Sequence, residues 1–177
     1  MMIRRYAICF YFLALLGTPF TASPHDAEST IEPLCRIHAH TPIGDRVNAL
    51  VGIAMLNLGS ERIVSPSVIC LINMWHGLKE SQSDTAYVSS ALLSLMEANP
   101  RVFLKTMQKD PVVLIEWLQR LQDDSFSWSF SPPCPLDEKR TQLIILISHQ
   151  NPALADGKAI KNSILDTLKK IRCRQID

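Results

Sequence analysis

Five proline pairs in this chain join a residue whose side chain can cap a helix to a following run of apolar residues at helical spacing: Thr41-Pro42, Ser65-Pro66, Asn99-Pro100, Asp110-Pro111 and Asn151-Pro152. The first residue of each pair can accept a hydrogen bond from a free N–H of the first helical turn. Proline suits the first helical position because its missing N–H would have had no partner there. Asp84 is a sixth candidate cap, without the proline. A chain punctuated in this way is committed to helices.

The apolar periodicity agrees. Ile43, Val47, Leu50, Val51, Ala54, Met55 and Leu58 form one stripe that Gly59 can terminate. Further stripes run over 66–76, 85–98, 100–108, 111–122 and 157–172, with Leu114, Trp117, Leu118 and Leu121 sharing a face of the fifth helix. Leu143–Ile147 is apolar on every side, and the acidic-then-basic run Asp137–Arg140 before it reads as a helix first turn; the spacing predicts a central, mostly buried helix over 137–149. The intervals between caps are too irregular for a repeat protein. The expected fold is all-α, an irregular bundle of about six to eight short helices packed in antiparallel hairpins.

The N-terminus carries a different signal. Arg4 and Arg5 precede an unbroken apolar run, Tyr6 to Gly17, followed by the small-residue stretch Thr18 to Ser23. That is the three-part layout of a secretory signal peptide. The apolar run has twelve residues, short of the ~20 a spanning helix needs, so residues 1–23 are expected to be cleaved and no stable membrane anchor is expected. Residues 24–177 then form a single helical domain, opening with a flexible segment over 24–40. The absence of any Asn-x-Ser/Thr sequon favours the periplasm of a Gram-negative bacterium, with the extracellular space next.

Export changes the meaning of the cysteines. Cys9 leaves with the signal, and Cys35, Cys70, Cys134 and Cys173 are an even set in an oxidising compartment. Three pairings are open to four cysteines. Cys35–Cys70 and Cys134–Cys173 are expected, because a bundle of successive helices makes mostly neighbouring contacts. Charge is uninformative: 18 Lys+Arg stand against 17 Asp+Glu, with no basic stripe to recruit nucleic acid.

The connection 123–135 (DDSFSWSFSPPCP) breaks the helical pattern. Phe126, Trp128 and Phe130 alternate with serine, which places three rings on one side of an extended segment. Pro132, Pro133 and Pro135 stiffen the end of the connection, and Cys134 can tether it. Loops of this length tend to be functional. Two roles are open to it: a lid folded back on the core, or a partner-binding loop with rigid aromatic anchors.

The one metal-like cluster is Cys35-x-x-His38-x-His40, whose sulfur and imidazoles suit zinc or copper; an oxidised Cys35 would remove it. Methionines 55, 74 and 96 could line a pocket between helices, although their stripes read as core. No Gly-x-Ser-x-Gly, His-Glu-x-x-His or P-loop pattern occurs, and no nucleophile, base and orienting group are grouped, so no catalytic set and no cofactor are expected. Glu116 reads as a solvated carboxylate, and His76 and His149 as helix-end partners. The leading functional expectation is an exported protein that binds another envelope or secreted protein, as an inhibitor or immunity-type protein does. The alternative is a metal-handling or small-ligand-binding envelope protein.

Overall fold

The structure is a computed structural model and describes residues 24–36, 42–78, 81–128, 134, 136–152, 155–172 and 174–175. The expected signal peptide lies outside them. Eight helices occur among the described residues: α1 (Pro24–Cys35), α2 (Ile43–Leu56), α3 (Glu61–Gly77), α4 (Gln82–Ala98), α5 (Pro100–Met107), α6 (Pro111–Ser125), α7 (Leu136–Ser148) and α8 (Ala155–Lys170). Two short strands, β1 (Ser127–Trp128) and β2 (Arg174–Gln175), pair in parallel.

Two of the cap–proline pairs form the helix start the sequence predicts. Asn99 Oδ1 accepts the Val102 N–H at 3.1 Å with Pro100 in the first turn of α5, and Asp110 Oδ1 accepts the Val113 N–H at 3.1 Å ahead of Pro111 in α6. Asn99 also donates to the Leu58 carbonyl at 2.7 Å, so one side chain starts α5 and ties down the exit of α2.

Elsewhere the boundaries differ. Helix α3 begins five residues before Pro66, because the Ser60 carbonyl already accepts from Ile63 at 3.1 Å and Val64 at 3.0 Å. Pro66 is therefore inside the helix, and its missing N–H leaves the Arg62 carbonyl without its usual helical donor. Asp84 is not the cap of α4; Ser81 is, and its hydroxyl donates to Asp84 Oδ2 at 2.8 Å. The 155–170 helix starts beyond Asn151-Pro152, because Pro152 folds back against its first turn. A Cβ on Gly157 would lie 2.7 Å from the Pro152 Cβ.

The stretch 24–40, expected to be flexible, carries α1 over its first 12 residues. Ile31 is buried, the Cys35–Cys70 disulfide joins α1 to α3, and buried Arg46 of α2 donates from Nε to the Leu34 carbonyl at 2.8 Å. A guanidinium at the carbonyl end of α1 complements that helix's dipole. Burial lowers the Arg46 pKa from the usual arginine range.

The centre of the molecule is α3, not α7. Val64, Val68, Leu71 and Trp75 of α3 are fully enclosed, and α3 packs against α1, α2, α4, α5 and α6. On α7 only Leu143 and Ile147 are buried, while Ile145 is half exposed, so its all-round apolarity does not mark the core. The packing is also less local than a series of hairpins. The most extensive contacts are α1 with α3 and α4 with α6. Helices α2 and α4 run parallel, since Asn48 meets Tyr87 near their starts (2.7 Å) and Leu58 meets Asn99 past their ends. Lys161 of α8 donates to the Ser148 and Gln150 carbonyls, each at 2.6 Å, which closes the C-terminal end of α7. His149 sits at that same end, with Nδ1 2.8 Å from the Ile145 carbonyl.

Candidate functional site: the base of the aromatic loop

Helix α6 places Trp117, Leu121 and Asp124 on its buried face at i, i+4 and i+7, the spacing of one helical stripe. A carboxylate at the end of an apolar stripe must find donors, because an unpaired buried charge is strongly unfavourable. Asp124 finds them on three helices. Trp75 Nε1 of α3 donates to Oδ2 at 2.8 Å, Thr85 Oγ1 of α4 lies 3.4 Å from Oδ1, and Arg120 Nη2 one turn back on α6 lies 3.5 Å from Oδ1. The Arg120 guanidinium also stands over the Trp75 ring, 5.7 Å from its centroid, which adds a cation–π contact. The Asp124 side chain is entirely shielded from solvent, whereas Arg120 is one-third exposed.

The second indole of the core is satisfied in the same way. Trp117 Nε1 donates to Ser89 Oγ at 2.7 Å, and its ring packs tilted against Phe103 with centroids 6.0 Å apart. Just outside, His76 Nε2 and Glu116 Oε2 are 3.5 Å apart and both half exposed, so α3 and α6 are joined at the surface as well as inside. Glu116 is thus paired instead of isolated.

This network fixes the point at which the chain leaves α6. Phe126, the next large residue, is fully buried. Of the three rings of the loop, this one packs into the core, as in the lid role the sequence also allows. Ser127 and Trp128 then pair with Arg174 and Gln175. On the far side of the loop Cys134 is disulfide-bonded; its expected partner Cys173 lies outside the described residues. So do Phe130 and the proline pair Pro132-Pro133. The loop is held at both ends.

The other sequence candidates fall elsewhere. Cys35 forms the disulfide with Cys70, with Cα atoms 5.2 Å apart. Its sulfur is therefore not a thiolate ligand, and the Cys35, His38, His40 metal set loses its soft donor. His38 and His40 lie outside the described residues. Among the described residues no three His, Cys, Asp or Glu side chains come together as metal ligands. Met74 and Met96 are buried in the core, with Cys70 Sγ 3.8 Å from Met74 Sδ, so they fill space between helices instead of lining a pocket.

The Asp124 network was legible only in part. The indole N–H of Trp75 needs a partner wherever it is buried, and Asp124 continues the Trp117–Leu121 stripe; those two facts together point to a buried carboxylate. That the partner of Trp75 lies 49 residues away is a tertiary fact. Comparison with known proteins adds nothing to the geometry: no protein-family model, no curated protein and no solved structure matches this chain.

Proposed function

We propose that this is an exported helical protein that acts by binding another envelope or secreted protein, in the manner of an inhibitor or immunity-type protein, through the aromatic loop 123–135. The observation that carries the reading is the anchoring of that loop. A buried carboxylate held by three helices, a core phenylalanine, a strand pairing and a disulfide at Cys134 restrain its two ends. A loop restrained before binding loses less entropy on binding, which is how pre-organisation gains affinity. With Phe126 assigned to the core, Trp128 and Phe130 are the anchors that remain, and tryptophan is the side chain most often dominant in interfaces. Two features support export. The Cys35–Cys70 disulfide suits an oxidising compartment, and no helix among the described residues is long and apolar enough to cross a membrane.

The test is capture of partners from envelope and culture-medium fractions with the wild-type chain and with Trp128→Ala. Loss of a specific partner with Trp128→Ala, at unchanged thermal stability, is the expected result. An identical set of partners for both chains would remove the loop from the interface.

A further inference from the structure

The opposite end of α3 carries a second surface. Glu61 opens the helix and Trp75 lies near its close, about 20 Å along the axis at 1.5 Å per residue. Around Glu61 the structure collects Arg62 from α3, Arg101 and Lys105 from α5, and Lys109 just after α5. Lys105 Nζ pairs with Glu61 Oε1 at 2.6 Å. Arg62, Arg101 and Lys109 are exposed, and none has a hydrogen bond or ion pair from its side chain to any described residue. Four cations against one carboxylate make a local excess of three positive charges, in a chain whose formal net charge is only +1. Two of them, Arg62 and Lys109, line a shallow cleft of about 470 Å³ together with Glu61, Ser65 and Pro66.

A ligand that brings several carboxylates satisfies the cations around that cleft. An acidic peptide segment is such a ligand. A nucleic acid or an anionic membrane needs a longer basic surface without a carboxylate at its centre.

We propose that this cleft, between the first turns of α3 and the turn that follows α5, is a docking site for a carboxylate-rich segment of a partner protein. It lies at the opposite end of α3 from the base of the aromatic loop. Glu61 acts as an internal competitor: it occupies Lys105 until an incoming carboxylate displaces it.

The probe is a hexaglutamate peptide, titrated at low salt into the isotopically labelled full chain and followed by amide chemical shifts. Shifts should concentrate in 61–66 and 101–109 and fade as salt rises through ~0.15 M, where the Debye length falls to about 8 Å. Paired charge reversal, Arg62→Glu with Lys109→Glu, should weaken binding about tenfold, because it removes two exposed ion pairs and adds repulsion. Glu61→Gln should act in the opposite direction and tighten binding roughly two- to five-fold by freeing Lys105. Because one variant is expected to gain affinity, misfolding cannot imitate the full pattern. Trp128→Ala should change nothing, which separates this site from the loop. The proposal is overturned if the shifts lie elsewhere or are absent, or if Glu61→Gln weakens binding. It is also overturned if inorganic phosphate, an oligonucleotide or phosphatidylglycerol vesicles bind the same residues more tightly than the peptide.

Discussion

Asp124 shows how much one side chain can decide. It sits where the α6 stripe calls for an apolar residue, and its two oxygens draw Trp75, Thr85 and Arg120 to one point. Asp124→Ala should lower stability by about 2–3 kcal/mol, because it strands the buried Trp75 N–H and removes the carboxylate partner of Arg120. Trp75→Phe should cost less alone and be clearly non-additive with Asp124→Ala, with a coupling of at least ~0.5 kcal/mol in urea unfolding. Simple additivity would show that the hydrogen bond contributes nothing. Glu61 supplies a pH test on the other surface. The hydrogen bond from Lys105, with the charges of Lys105, Lys109 and Arg101, holds its carboxyl pKa below the usual range. Stability from that pair is present above the ordinary carboxylate pKa and is lost as pH falls through the depressed value. Glu61→Gln should therefore lower stability slightly at neutral pH and converge with the wild type as pH falls through the carboxylate range, as followed by melting temperature against pH.

At the scale of elements, two glycines predict opposite outcomes. Gly52 lies in α2 with nothing within 4 Å of where its Cβ would stand. Gly52→Ala should stabilise by about 1 kcal/mol from helix propensity alone. Gly157 opens α8 against the Pro152 ring and the Gln108 side chain, and a Cβ there has no room. Gly157→Ala should cost about 1–3 kcal/mol by overpacking, since the proline ring cannot rotate away. Thermal melts of both variants check the pair, and a stabilising Gly157→Ala would mean that the 151–152 turn moves freely. Element boundaries were legible where the signal was local. The caps at Asn99 and Asp110 depend on residues three positions apart, and the sequence shows them. Pro66 and Pro152 do not start helices as their sequence context suggests, because their position depends on Ser60 in one case and on packing against Gly157 in the other.

For the whole molecule, the Cys35–Cys70 bridge ties the N-terminal helix to the central one across a sequence separation of 35 residues. In the chain-entropy description, removing it by Cys35→Ser with Cys70→Ser should cost about 2–4 kcal/mol. Local opening should appear first in α1, which otherwise holds through Ile31 and the Arg46–Leu34 contact. Hydrogen exchange of the oxidised chain and the double variant checks this. Equal protection of α1 in both would show that the helix docks without its bridge. The pairing was one of the three the sequence leaves open, and the packing of α1 on α3, past the intervening α2, decides it. The central place of α3 was not legible in the sequence either, because α7 has the more apolar sequence and α3 gains its position from five other helices.

By itself the sequence determined an all-helical fold and several helix starts. Caps, prolines and apolar periods act over three or four residues, and each stretch carries them independently of the rest. Only the tertiary structure decided that Asp124 and Phe126 belong to the core, that α3 and not α7 is the centre, and that Arg62, Arg101, Lys105 and Lys109 gather around one carboxylate. Those outcomes depend on which surfaces far apart in sequence come to lie together. Burial and local electric field are properties of that meeting, not of any single segment.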